Sequence, residues 1–235
     1  MNTATNAQPQ PLSQPWVNRC RLRIAMWRWW WQRHHLGLFK RSLDLLVIGT
    51  LGLLLLPLLA LVALAIRWHD GGPVLYWQRR VGRHGVEFSF PKFRSMSMDA
   101  EARLQTLMQQ NQHGAGGTTF KLKHDPRITP VGRWIRRASI DELPQLWCVL
   151  RGEMTLVGPR PALPREVALY AVEHRERLSV VPGLTCIWQV SGRGDVPFPQ
   201  QLAMDLDYIR HASVAMDLRL LALTVPAVVT GRGAY

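Results

Sequence analysis

The stretch LLVIGTLGLLLLPLLALVALAI, residues 45–66, runs without a single charged side chain. A helix needs about 20 consecutive apolar residues to cross the hydrocarbon core of a bilayer, so this run is long enough to do so. It is longer than the apolar core of a secretory signal peptide, about 7–15 residues, and it starts too far from the N-terminus for one. We therefore expect the segment to stay in the protein and to enter a membrane.

Pro57 stands in the middle of this run and complicates a simple crossing. A proline removes one backbone donor from a helix and favours a kink. Basic residues flank both ends of the run, Lys40 and Arg41 before it and Arg67 after it, so positive charge gives no preference for orientation. These residues leave two topologies open: a plain crossing, and a helix that enters, breaks at Pro57 and returns to the same face.

The overall charge indicates an anionic partner. The chain has 235 residues, 47% of them hydrophobic, and a formal net charge of +13 at pH 7. A surplus of that size is typical of proteins that meet nucleic acid, an anionic membrane surface or phosphorylated substrates. The three cysteines, Cys20, Cys148 and Cys186, match neither a metal-binding spacing nor a disulfide framework, which favours a reducing compartment.

The N-terminal part is expected to be a leader that anchors the chain at the membrane surface. Residues 1–15 are polar and rich in Pro and Gln, so we expect them to be disordered. Residues 16–41 mix tryptophan with arginine and lysine, a composition suited to the headgroup layer but also to a nucleic-acid-binding arm. The apolar run that follows favours the membrane interpretation. The expected organisation is a leader over 1–39, a membrane helix over 40–67 and a catalytic or binding domain over 68–235.

From residue 68 onward the pattern predicts a mostly α-helical domain with a few short β-strands. Residues 73–82 and 86–96 alternate as strands do, and a helix with an apolar stripe is predicted over 164–181. The Gly-rich stretch 113–119 is expected to be a loop and lacks the Gly-Lys-Ser/Thr ending of a P-loop. Residues 214–229 are apolar but interrupted by charges and a proline, so we expect them to lie in the membrane interface.

The sequence RRASIDELPQLW sets two carboxylates, Asp141 and Glu142, side by side after two arginines. Ser139 and Glu142 match a capping box, but that register would put Pro144 where its missing N–H costs a hydrogen bond. With Asp141 as the N-cap instead, Pro144 becomes the third helical residue, and a helix is predicted from there to Gly152. The pair would then cap the helix, or would receive a phosphate or a bridging divalent cation. The residues alone favour capping.

A series of ordered motifs resembles the bacterial sugar transferase family, the monotopic phosphoglycosyl transferases. They are KRSLDLL, FPKFRSM, KLKHDPRITPVGRWIRRASIDELPQLW, RGEMTLVGPRP and VVPGLTCIWQVSGRG, and together they cover about residues 40–235. The resemblance implies a re-entrant, helix-break-helix membrane segment centred on Pro57 and a catalytic domain with interfacial amphipathic helices. It also implies a location at the bacterial inner (cytoplasmic) membrane, with the catalytic domain on the cytoplasmic face.

Members of this family transfer a sugar phosphate from a UDP-sugar to undecaprenyl phosphate and release UMP. The resemblance therefore implies that Asp141 is a nucleophile that carries the sugar phosphate, with Glu142 beside it and Mg²⁺ held between the two carboxylates. It implies phosphate contacts from a set of basic residues: Lys92, Arg94, Arg136, Arg137, Arg160 and Arg193. UDP-sugar, undecaprenyl phosphate and anionic lipids are the expected partners, nucleic acid is not expected, and a homo-oligomer is left open.

Two alternatives compete with this interpretation. Asp205 and Asp207 form the Asp-x-Asp pattern that holds a metal in many nucleotide-sugar glycosyltransferases, but Leu202, Leu206 and Ile209 lie around them at helical spacing. We interpret both aspartates as a polar helix face. A non-enzymatic, basic, membrane-associated binder of anionic lipid or nucleic acid is the alternative function; such a binder has no use for two adjacent carboxylates, whereas a covalent mechanism requires one.

Overall fold

The computed structural model describes the backbone of residues 15–107 and 125–231, and the side chains of residues 37–104 and 125–231. The expectations for the disordered N-terminus, for the tryptophan side chains of the leader and for the loop over 113–119 lie outside the described residues. The contacts divide the chain into two units, Met1–Phe39 and Lys40–Tyr235. All the motifs discussed below belong to the second unit.

Helix α1 (Pro15–Asp70) contains the apolar run. Its part from Gly37–Asp70 is long and apolar enough to cross a membrane. Leucines along this part project away from the rest of the unit: Leu45, Leu46, Leu51, Leu53, Leu54, Leu56, Leu61 and Leu64 are all exposed. So large an apolar surface is typical of a segment that meets lipid.

The helical backbone continues through Pro57, so the break expected at this residue is not seen. A proline inside a helix removes one hydrogen bond and bends the helix, but it does not have to end it. The predicted helix-break-helix segment is therefore a single helix with an internal proline. A bend at Pro57 can still redirect the helix, because the hydrogen bonds on either side of the proline stay in place.

The first end of the apolar run is held against the domain over residues 68–231 by largely buried polar contacts. Lys40 Nζ donates to the carbonyl oxygen of Val157 at 2.8 Å and pairs with Asp217 at 2.9 Å. Asp44, which is buried, accepts a hydrogen bond from the backbone N–H of Leu156 at 3.0 Å. Buried charges need such partners, so these contacts fix where the helix leaves the domain.

The second end of the run is fastened to the same unit by apolar packing. Val62 and Ile66 are buried together with Phe93 and Ile135. Asp70, the last residue of the helix, forms an ion pair with Arg94.

The domain that follows is mostly helical with a few short strands, as expected. Strands β1 (Leu75–Val81) and β2 (Glu87–Phe93) lie in the two segments where alternation predicts strands, and they pair as an antiparallel hairpin. Short strands β3 (Thr155–Val157) and β4 (Gly183–Thr185) pair in parallel. The remaining helices are α2 (Ala100–Leu107), α3 (Pro130–Arg137), α4 (Leu146–Arg151), α5 (Pro164–Val167), α6 (Ile187–Ser191), α7 (Phe198–His211) and α8 (Val214–Thr230).

The single long helix predicted over 164–181 is wrong. Helix α5 ends after one turn, and a separate 3₁₀ segment spans Glu173–Ser179. The separation lets Tyr170 pack with Ala162 and Leu202, while Arg177 forms a buried ion pair with Asp205 at 2.7 Å. Tertiary contacts of this kind override the helical periodicity of a short segment.

The main core gathers the elements that carry the candidate site. Phe88 and Phe90 of β2 pack with Val149 of α4, Leu156 of β3 and Tyr208 of α7. Ile48 of α1 and Leu220 of α8 complete the same cluster. Because β2, α4 and β3 are packed together, the residues that precede or follow them are brought close in space.

Candidate active site

Asp141 and Glu142 lie on a 3₁₀ turn, Ile140–Gln145, rather than on the first turn of an α-helix. Ser139 precedes it in the left-handed conformation, with φ 54°, and its side chain caps nothing. The N–H of Glu142 bonds to the carbonyl of Ser139 at 3.2 Å, the i to i+3 pattern that defines such a turn. Pro144 is thus accommodated in the turn, and the α-helix begins only afterwards, ending at the left-handed Gly152 as expected.

Glu142 forms ion pairs with two cations, Lys92 and Arg160. It accepts hydrogen bonds from Lys92 Nζ at 2.8 Å and from both terminal nitrogens of Arg160, with Nη1 at 3.2 Å from Oε2. Burial opposes its ionisation, but the charges of Arg160 and Lys92 outweigh burial and hold its pKa well below the usual range. Glu142 is therefore an anion whose two oxygens are both in use.

Asp141 is in a different state although it is the next residue. Its side chain is only 8% exposed, and burial raises its pKa from 3.8 to about 6, against the opposing charge of Lys92. Within residues 37–104 and 125–231, no ion pair and no side-chain hydrogen bond engages it. The pKa values of the two adjacent carboxylates are thus shifted in opposite directions, an arrangement typical of residues with different chemical roles.

Further cations surround the pair. The charge of half-buried Arg136 lowers the pKa of Asp141. Arg193 lies on the 3₁₀ turn Arg193–Asp195 with a left-handed φ of 50°, and burial lowers its pKa while Glu142 and Asp141 act in the opposite direction. Together with Lys92 and Arg160, these residues place more positive charge at the site than the two carboxylates neutralise, which suits a ligand with several negative charges.

The sequence interpretation missed Arg80. Burial, followed by the charge of Arg160, lowers its pKa to about 10. Its guanidinium lies 5.2 Å from the centre of the Phe90 ring and donates to the carbonyl of Pro161 at 3.0 Å. The alternation of β1 contained a signal, because it puts Arg80 on the half-buried side of the hairpin and its neighbour Arg79 on the exposed side.

The structure does not bring two of the expected phosphate contacts into this group. Arg94 is nearly buried and paired with Asp70 at the end of α1, beyond the last residue of β2. Arg137 is exposed and lies against Gly231 at the end of α8.

Behind the site, a buried ion pair supports Arg160. Arg177 donates to the carbonyl of Arg160 at 2.9 Å and pairs with the fully buried Asp205. Asp207 instead is exposed and pairs with His211 at 3.0 Å. The expectation of one polar helix face is therefore wrong for Asp205, and the two aspartates point to different surroundings, which does not suit a shared metal.

The expected magnesium bridge between Asp141 and Glu142 does not fit the geometry as it stands. Both oxygens of Glu142 are already bonded to Lys92 and Arg160. In the part of the chain that the structure describes, no cluster of three or more His, Cys, Asp or Glu side chains is suitable for a metal ion. Among the described side chains, none bonds to the oxygens of Asp141, so Asp141 is the carboxylate of the pair that is better placed to take a ligand.

The family model of the bacterial sugar transferases matches residues 35–231. The chain belongs to this family, and it is an enzyme of the phosphoglycosyl transferase class, associated with membranes through its apolar helix. The alternative of a non-enzymatic binder is thereby set aside.

Named relatives cover most of the chain. It is 41% identical to the exopolysaccharide production protein ExoY of Sinorhizobium fredii, over 85% of this chain and 89% of the relative. It is 40% identical to the UDP-glucose:undecaprenyl-phosphate glucose-1-phosphate transferase of Caulobacter vibrioides, over 83% of this chain and 72% of the relative. The undecaprenyl-phosphate galactose phosphotransferase of Salmonella typhimurium is 40% identical over 83% of this chain and 41% of the longer relative.

Proposed function

We propose that this enzyme transfers a sugar 1-phosphate from a UDP-sugar to undecaprenyl phosphate, as an initiating membrane step of exopolysaccharide assembly. The names of the Caulobacter and Salmonella relatives contain undecaprenyl phosphate as the acceptor, and the name of ExoY refers to exopolysaccharide production. The observation that carries the proposal is the contrast within the dyad: Glu142 is bound by two cations, whereas no cation among the described side chains is bound to the neighbouring buried carboxylate of Asp141.

In the first step, a carboxylate oxygen of Asp141 attacks the phosphorus that bears the sugar. A P–O bond to Asp141 forms, the P–O bond to UMP breaks, and UMP leaves with the electron pair. With a pKa of about 6, Asp141 is ionised at neutral pH, and burial deprives it of the water that would weaken it as a nucleophile. Arg160, Lys92 and Arg193 supply positive charge where the diphosphate must lie.

In the second step, an oxygen of undecaprenyl phosphate attacks the same phosphorus. The P–O bond to Asp141 breaks, the carboxylate is regenerated, and undecaprenyl-diphosphate sugar is the product. Two steps keep the two phosphorylated substrates from having to react with one another directly, which like-charge repulsion would oppose. Glu142 acts through its cations: it keeps Arg160 and Lys92 oriented beside Asp141.

Magnesium remains part of the proposal in a modified form. Bound Mg²⁺ would neutralise the diphosphate and help UMP to leave. Because Mg²⁺ is often held by one carboxylate and the phosphates of the substrate, Asp141 alone suffices as a protein ligand. Glu142 orients the surrounding cations instead.

We further propose that the membrane segment is re-entrant. The contacts of Lys40 and Asp44 at one end, and of Ile66 and Asp70 at the other, involve the same catalytic unit. A straight crossing would separate the ends by the full thickness of the hydrocarbon core, about 30 Å, and would put them on opposite faces. Contacts at both ends support a bent path centred on Pro57, with the domain and both ends on the cytoplasmic face of the inner membrane.

The decisive experiment for the function uses the purified full chain with a panel of UDP-sugars. We expect one of them to yield UMP without acceptor, at about one equivalent per enzyme, and intact-mass measurement to find that sugar phosphate on Asp141. Undecaprenyl phosphate should then discharge the adduct and permit turnover. Asp141→Asn should give neither UMP nor adduct, and full transfer by this variant would refute the proposed mechanism.

A further inference from the structure

Arg137, the last residue of α3, and Gly231 form a junction between α3 and the end of α8. Gly231 ends α8 with a left-handed φ of 61°. A Cβ atom at Gly231 would lie 2.9 Å from Cγ and 3.1 Å from the carbonyl oxygen of Arg137. The stem of Arg137 therefore lies directly on the end of α8, a closeness that only glycine permits.

Arg137 carries a charge that no described side chain neutralises. The side chain is exposed. Throughout the described side chains, no carboxylate pairs with it and no side-chain hydrogen bond holds it. Its neighbour Arg136 instead faces the catalytic carboxylates and lowers the pKa of Asp141. Arg137 is thus an available cation four residues before the nucleophile.

The surface that leads to Arg137 is apolar. After Arg219, no charged residue follows on α8 before Gly231. The outward side chains of this part are Leu223, Val225 and Val229, the last of them 80% exposed. Near its other end, α8 packs through Leu220 in the same cluster as Ile48 of α1, where the membrane helix leaves the domain. The second half of α8 therefore exposes apolar side chains up to the end of the helix, where Arg137 lies.

A molecule with a long hydrocarbon tail and a single terminal phosphate matches this surface. The tail fits the exposed apolar side chains of α8, and the phosphate meets the guanidinium at the end of the helix. Arginine suits such a phosphate because it donates two parallel hydrogen bonds to it. The UDP-sugar has no apolar tail, so it would gain no such contact with α8.

Resting on the proposed function, we propose that Arg137 binds the phosphate of the polyprenyl acceptor at the end of α3, four residues before the Asp141 that carries the phosphosugar. The phosphate dianion then attacks the phosphorus, its new P–O bond replaces the bond to Asp141, and no proton has to be removed. Arg137 serves the second step, whereas Arg160, Lys92 and Arg193 serve the first. The expected phosphate contacts thus divide between two substrates.

The experiment compares Arg137→Ala with Arg133→Ala, a matched exposed arginine one turn earlier on the same helix. Both full-length variants are placed in phosphatidylcholine vesicles that contain undecaprenyl phosphate. Loss of a charged hydrogen-bonding partner should raise the KM for the acceptor about tenfold in Arg137→Ala. UMP release without acceptor should change far less, Arg137→Lys should lie between wild type and Arg137→Ala, and Arg133→Ala should behave as wild type.

A second arm separates the acceptor from bulk anionic lipid. If Arg137 served bulk lipid, Arg137→Ala would lose binding to acceptor-free vesicles with phosphatidylglycerol, and this outcome would overturn the inference. An acceptor KM equal to that of Arg133→Ala would overturn it as well. If Arg137→Ala does not fold, Arg137→Lys and Arg137→Gln replace it. In these variants too, the KM for the acceptor should rise while UMP release without acceptor changes far less. A wild type that releases no UMP would instead defeat the proposed function.

Discussion

Replacing Asp141 by asparagine should abolish catalysis and stabilise the fold at the same time. Burial raises the pKa of this carboxyl from 3.8 to about 6. Since a tenfold change in an equilibrium corresponds to about 1.4 kcal/mol, holding the group ionised at pH 8 costs the folded state about 3 kcal/mol. Asparagine has almost the same shape and no charge, so it should recover most of this cost. The group's contribution to wild-type stability is greatest below its unfolded pKa and is lost as the pH rises towards 6.

Thermal unfolding in detergent micelles at pH 8 and pH 5 measures this effect. For a chain of this size, 1 kcal/mol shifts the midpoint by about 2–4 °C, so Asp141→Asn should melt about 6–12 °C above wild type at pH 8. At pH 5 the difference should fall to about half, because the folded wild type is then largely protonated. Glu142→Gln is the matched control with the opposite sign, since Arg160 and Lys92 stabilise that anion. An Asp141→Asn variant that melts no higher than wild type at pH 8 would refute the reasoning.

Other predictions follow from the same geometry. UMP release without acceptor should rise about tenfold from pH 5 and level off above pH 7, because only ionised Asp141 attacks; a flat profile would exclude a nucleophile with a pKa near 6. Lys92→Ala should lower UMP release by at least about tenfold, because it removes a cation from Glu142. Arg94→Ala should instead lower the melting temperature, because it removes the partner of Asp70, and should keep UMP release within about twofold of wild type. Equal losses of the two variants in both assays would contradict this division. Tags before Lys40 and after residue 235 should both report the cytoplasmic side, and Pro57→Leu should move the first outside; opposite sides in the wild type would rule out re-entry.

Local patterns in the sequence were sufficient for the parts of the fold that rest on periodicity. The uncharged run over 45–66 predicts a long apolar helix, and the alternation over 73–82 and 86–96 predicts two strands. The prediction over 164–181 was wrong because Arg177, which lies off the predicted apolar stripe, is buried in an ion pair with Asp205, a residue distant in the sequence. A one-dimensional period does not contain that contact.

The candidate site likewise has features that the sequence predicts and features that depend on packing. The adjacent carboxylates can be found from the sequence, and the resemblance singles out Asp141. That Glu142 is bound by Arg160, 18 residues later, and by Lys92, 50 residues earlier, depends on packing between β2 and the 3₁₀ turn Ile140–Gln145. Spacing in the sequence also groups Arg94 with Lys92, although Arg94 lies past the end of the strand and is turned towards α1.

The fastening of the membrane helix has a consequence for engineering. Asp44 holds the N–H of Leu156 and Lys40 holds the carbonyl of Val157, in the backbone that leads directly to Arg160. Removing the helix to obtain a water-soluble fragment would leave these buried groups without their partners. It would also loosen β3 and the backbone after it, which carries Arg160, one of the two cations that hold Glu142. In this architecture the anchor is a structural part of the catalyst, so a truncated enzyme should be misassembled as well as untethered.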